Sequence, residues 1–105
     1  MLGGYKVGVY IKGESTKVGG IAIPGQLIWI KDVDCDMQSY SKELLIKQYG
    51  LNIEVNKRFF IDYDQNIKIG TIFSYLNSQN EVEKYEVKAI PWDSEPTMEV
   101  VCLKI

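Results

Sequence analysis

The chain has 105 residues, enough for one domain with one core and too few for two. Its 46% hydrophobic and 25% charged residues are those of a folded protein, and its net charge of −2 argues against a partner held chiefly through phosphates. The sequence holds no histidine and its two cysteines lie far apart, so every His-dependent triad and any paired-cysteine zinc motif is excluded.

The N-terminal stretch MLGGYKVGVYIKG lacks the apolar length and cleavage pattern expected of a secretory signal, and no run approaches the ~20 apolar residues of a membrane helix. A reducing, cytosolic site of synthesis is expected. Residues Tyr5 to Lys12 alternate cleanly, with Tyr5, Val7, Val9 and Ile11 on one face, and read as a first strand. Gly13 to Gln26 carries four glycines and a proline. Its apolar patch Ile21-Ala22-Ile23 is cut off by Pro24-Gly25, which predicts a long flexible loop. Leu27 to about Gln38 reads as a second strand with a bulge or bend near Lys31-Asp32, placing Val33, Cys35 and Met37 inward and Asp32, Asp34 and Asp36 outward.

Ser41 offers an N-cap oxygen, Glu43 lies in the first turn, and Gly50 supplies a left-handed terminus, so one short helix is expected near residues 41–49. Leu44, Leu45 and Gln48/Tyr49 form its modest apolar stripe. From Leu51 the period returns to two, predicting a strand through Phe60 with Val55 and Phe59 on one face. A turn at Asp62 to Asn66, a strand at Thr71 to Leu76, a polar loop at Asn77 to Asn80 and a strand at Glu83 to Ile90 follow. Pro91 to Pro96 breaks the pattern, and Met98 to Leu103 closes it. Val9, Val55, Val87 and Val101 are assigned to the core. The expected fold is mainly β: one domain over residues 1–105, a small β-barrel of about six short strands with one short helix and a long loop after the first strand.

The chemistry-bearing patterns are few. The acids of DVDCD, with Asp62 and Asp64, lack the glycine and distal glutamate of a calcium loop and read as a solvated strand face, so no metal site is assigned. The twelve aromatics are not interleaved with clustered basic residues, as a single-strand binder's would be. Cys35 and Cys102 sit in apolar runs and read as buried small hydrophobes. No nucleophile, catalytic residue or cofactor-binding residue is nominated.

Over VDCDMQSYSKELLIKQYGLNIEVNKRFF the sequence resembles the head–tail connector proteins of tailed phages, the head-closure or head–tail joining family. The resemblance is carried by Asp36, Gln38, Tyr40 and Ser41 at a strand end, Tyr49-Gly50 closing the helix, Arg58 and Phe60, Ile67 and Gly70, and Tyr85, Val87, Ile90 and Trp92. It spans Trp29 to Leu103. The family pattern often has proline where Ser39 stands. The resemblance implies a structural virion protein of a phage or prophage, without enzymatic activity or cofactor. It would form a dodecameric ring that closes the DNA-filled head, contacting itself, the portal or adaptor, tail proteins and the packaged DNA near the channel, and no membrane. It would be made in the host cytoplasm and carried in the virion. Assembly-interface candidates are Ile21, Ala22, Ile23, Pro24 and Tyr40, together with exposed strand edges. A stand-alone barrel that binds peptide or single-stranded nucleic acid, or another virion part such as a minor capsid or tail-terminator protein, fits the same pattern.

Overall fold

The computed structural model describes residues 4–13, 16–23 and 25–105, with the backbone alone for 16–18, 22 and 23. Eight strands and one helix follow in order: β1 (Tyr5–Lys12), β2 (Thr16–Val18), β3 (Ile21–Ile23), β4 (Leu27–Ser39), α1 (Lys42–Tyr49), β5 (Lys57–Asp62), β6 (Ile72–Leu76), β7 (Val82–Trp92) and β8 (Thr97–Lys104). Six of them close an antiparallel barrel in the order β1-β4-β5-β8-β7-β6, with β6 returning to pair with β1. The expected mainly-β barrel with one short helix is what the chain forms.

The barrel interior is filled from all six strands. Phe59 lies at its centre, edge-on to Phe73 at 5.1 Å and to Tyr85 at 5.5 Å, an arrangement that sets the positive ring edge against the negative face. Val7, Val9, Cys35, Ile61, Val87, Met98, Val100 and Cys102 complete this interior core. A second, smaller core lies outside the barrel wall, where Tyr40, Leu45, Val55, Ala89 and Val101 pack together. Strand β8 is therefore covered on both faces: Met98, Val100 and Cys102 enter the inner core and Val101 the outer one.

Helix α1 forms as its signals predict. Ser41 Oγ accepts the Leu44 N–H at 3.2 Å, and Gly50 takes φ +71°, its N–H donating to the Ile46 carbonyl at 2.8 Å. The apolar stripe is narrower than expected. Only Leu45 is buried, while Leu44 and Tyr49 stay more than two-fifths exposed.

Three elements depart from the expected boundaries. The segment from Leu51 to Asn56 keeps its period of two and buries Val55, but it joins no ladder, and β5 begins only at Lys57. An extended chain laid across an apolar surface alternates just as a strand does, so periodicity could not separate the two. Strand β7 runs on through Pro91 to Trp92, because its register with β8 slips twice, between Val87 and Ala89 and again before Trp92. Slips of this kind leave residues without ladder partners, which is where proline is tolerated. The first slip also sets Ala89 opposite Val101 and into the outer core, although Val87 two residues earlier faces inward.

The expected loop of residues 13–26 contains the third departure. Its backbone forms the β2–β3 hairpin, with Thr16 opposite Ile23 and Val18 opposite Ile21. The connecting Gly19 and Gly20 both take positive φ, +59° and +82°, as a tight two-residue hairpin turn whose twist matches its strands requires.

Candidate assembly surface

Strand β4 has 13 residues, and at ~3.3 Å per residue it spans ~43 Å, close to the 47 Å length of the whole molecule. Its neighbours are shorter. β5 pairs only with Cys35–Ser39 of β4, and β6 only with Gly8–Tyr10 of β1. Past these ladders Ile11 and Lys12 pair with Ile28 and Leu27 alone, forming a two-stranded ribbon that leaves the barrel. Gly13 donates to the Gln26 carbonyl at 2.9 Å and carries the ribbon on toward the β2–β3 hairpin, a sheet separate from the barrel. The anticipated bulge is present: Val9 faces Lys31 and Tyr10 faces Trp29, leaving Ile30 as the extra residue.

The face of β1 that carries Val7 and Val9 inside the barrel continues onto this ribbon as Ile11, with Ile28 opposite it. Ile11 and Ile30 are each 40% exposed and Ile28 is 50% exposed. On the β6–β7 side, Lys12 Nζ donates to Glu86 Oε2 at 2.7 Å and Lys88 Nζ to Glu86 Oε1 at 2.8 Å. Both ammoniums hold the Glu86 carboxyl below the usual carboxylate range. At the barrel mouth a cleft of about 420 Å³ opens between Val9 and Ile11 of β1, Ile30 of β4 and Ile67 of the β5–β6 connection. Lys31 pairs with Asp64 at its rim. Burial pushes the Asp64 carboxyl up, but the Lys31 ammonium and the Asn66 N–H overcome this and hold it below its ordinary value. Trp29, 54% exposed, donates its indole N–H to Asp32 Oδ1 at 3.0 Å. Of the outward acids Asp32 thus meets Trp29, while Asp34 lies 4.0 Å from Lys6.

The interface candidates do not share one place. Ile21 follows the hairpin turn and is 70% exposed, Ala22 and Ile23 are hairpin backbone, and Pro24 lies outside the described residues. Tyr40 is 7% exposed and belongs to the outer core, where its hydroxyl donates to Gln48 and its ring lies 4.7 Å below the Arg58 guanidinium. It holds α1 to the barrel and offers little surface to a neighbour. Closure of the barrel consumes much of the strand edge expected to be free, and among the described residues the stretches of β1 and β4 beyond the β6 and β5 ladders, the ribbon included, keep one side unpaired. Sequence reasoning placed too little weight on Leu27-Ile28-Trp29-Ile30, a solid apolar run with no polar alternation, and on Gly19-Gly20, a two-residue hairpin signal.

No family model matches the sequence, and no curated protein matches it significantly. Its backbone is similar to the solution structure of protein SF1141 from Shigella flexneri 2a, a structural-genomics target, with a TM-score of 0.71 at 10% identity over 95% of this chain and 90% of that one. That likeness is one of fold.

Proposed function

We propose that this chain is a non-enzymatic assembly subunit of a tailed phage or prophage, a head–tail connector component whose ribbon and hairpin make the contacts between copies and with the neighbouring ring. The observation that carries the reading is the apolar ribbon: Ile11, Ile28, Trp29 and Ile30 stand exposed on an element that leaves a barrel already filled and closed. Clustered apolar exposure of this kind marks surfaces that are covered in an assembly. The protruding ribbon and the cleft beside it, which share Ile11 and Ile30, form one apolar patch on which a neighbouring copy can seat, and contacts between copies close into rings when the rotation permits. The sequence resemblance to head-closure proteins supplies the setting in which such a ring would sit.

The experiment is co-expression with the products of the genes on either side of its own, followed by mass photometry and particle imaging. A connector subunit enters a multi-copy ring together with a portal or tail protein. A chain that remains a single copy and instead captures a peptide or single-stranded nucleic acid is a stand-alone binding module.

A further inference from the structure

The cleft between Val9, Ile11, Ile30 and Ile67 at the barrel mouth carries three charged residues, Lys31, Asp64 and Lys68. Lys31 and Asp64 neutralise one another, whereas the exposed Lys68 has no ion-pair partner among the described residues. The cleft is therefore an apolar hollow with a net positive charge. The opposite side of the barrel carries a protrusion of the reverse character. There β7 ends at Trp92, β8 begins at Thr97, and the turn between them reads Asp93-Ser94-Glu95-Pro96. Trp92 is 57% exposed, Asp93 and Glu95 are exposed too, and neither acid has an ion-pair partner among the described residues. Barrel order sets β7 three strands from β4, and β8 three strands from β1, in either direction. Tyr63, on the β5–β6 connection that also carries Ile67 and Lys68, donates its N–H to the Pro96 carbonyl at 3.0 Å, so cleft and turn lie at the same end of the barrel.

Two unlike surfaces at one end and on opposite sides of a subunit are what a head-to-tail contact needs, because each copy then offers one and receives the other. A tryptophan is among the side chains that gain most from entering a desolvated apolar pocket, and a cleft of about 420 Å³ holds an indole. The other exposed tryptophan, Trp29, lies on the ribbon itself with its indole bonded to Asp32, which leaves Trp92 as the aromatic free to enter a neighbour. Charged groups serve best around such a pocket and not inside it. Asp93 and Glu95 follow Trp92 by one and three residues, and their sign is opposite to that of Lys68. We propose that the barrel-mouth cleft of one copy receives the β7–β8 turn of the next, with Trp92 seated against Ile11 and Ile30 and with Asp93 and Glu95 meeting Lys68. The contact rests on the assembly reading and names the segment that fills its cleft.

The test is sedimentation velocity of the intact protein at low salt over a concentration series up to about 1 mM, with circular dichroism and the thermal midpoint of each variant as the control for folding. Wild type is expected to self-associate, and Trp92→Ala to weaken this about thirtyfold or more. Lys68→Glu, and separately the pair Asp93→Lys with Glu95→Lys, should each weaken it at least about fivefold by setting like charges together. An equimolar mixture of these two charge variants should regain association close to that of wild type, since opposite charges meet in both of its contacts. Loss of folding in either variant could not produce that recovery. Wild-type affinity in Trp92→Ala, or a mixture that associates no more tightly than its components, overturns the turn as the occupant, while the assembly reading is decided by its own co-expression test. An effect of Lys68→Glu with none from the turn variants overturns a second copy as the source of the occupant. A wild type that stays a single copy throughout the series overturns the contact as a whole.

Discussion

Leu45 is the one fully buried residue of an eight-residue helix, so Leu45→Ala isolates what holds α1 on the barrel. A helix this short is not stable by itself in water, and its persistence depends on the apolar contact beneath it. The substitution removes three carbon groups from a site of 0% exposure, a transfer loss of about 2.4 kcal/mol. The cavity left against Val55, Ala89 and Val101 adds to this, giving ~3 kcal/mol, within the range measured for such truncations. A domain of this size has ~5–15 kcal/mol in total, so the variant should fold but unfold earlier. In urea, with a slope of ~1.5 kcal/mol/M, the midpoint should fall by about 2 M. A fall of less than about 0.5 M would mean that the helix is held by something other than this contact.

Glu86 is held below its ordinary pKa by Lys12 and Lys88, so its contribution to stability is present above the unfolded value of 4.5 and is lost as pH falls through the lower folded value. Thermal unfolding of wild type and Glu86→Gln should therefore differ at pH 7 and converge in acid; a constant gap refutes the ion-pair account. Tyr49 moves the other way: its bond to Glu99 first, and burial second, push its hydroxyl up from 10.0 to about 12. That contribution is complete below pH 10 and lost as pH rises toward 12, so the advantage of wild type over Tyr49→Phe should shrink across this window in equilibrium unfolding. Cys35, pushed to about 12 chiefly by burial, and Cys102, raised well above its ordinary value by the same cause, should resist a thiol-specific disulfide reagent in the native state and react fully in guanidinium. Rapid native labelling would place a thiol outside the barrel core.

The sequence made legible those elements whose local signals had no competitor. The cap at Ser41, the terminus at Gly50, and the inward faces of β1 and β4 follow from side-chain period and capping chemistry alone. What it concealed were effects set by a neighbouring element. Alternation from Leu51 to Asn56 reports an extended chain on an apolar surface and not a ladder, and Ala89 changes face because β7 slips against β8. Tyr40 ends its strand looking like a surface residue, and only the return of α1 over β8 buries it. Glu99 carried a signal that was passed over: an acid inside the apolar run Met98 to Leu103 lies on a strand buried on both faces and must find partners there. The ribbon was hidden because strand lengths, and so the overhang of β1 and β4 past β5 and β6, are not fixed by periodicity.

The central claim is that the ribbon and its hairpin are the contact surface while the barrel folds without them. The most direct test is the triple variant Ile21→Ser, Ile28→Ser, Ile30→Ser, compared with wild type by circular dichroism in isolation and by mass photometry after co-expression with the adjoining gene products. These side chains are 70%, 50% and 40% exposed, so circular dichroism and the thermal midpoint should stay close to wild type while the multi-copy ring is lost. A triple variant that enters rings as wild type does would contradict the account.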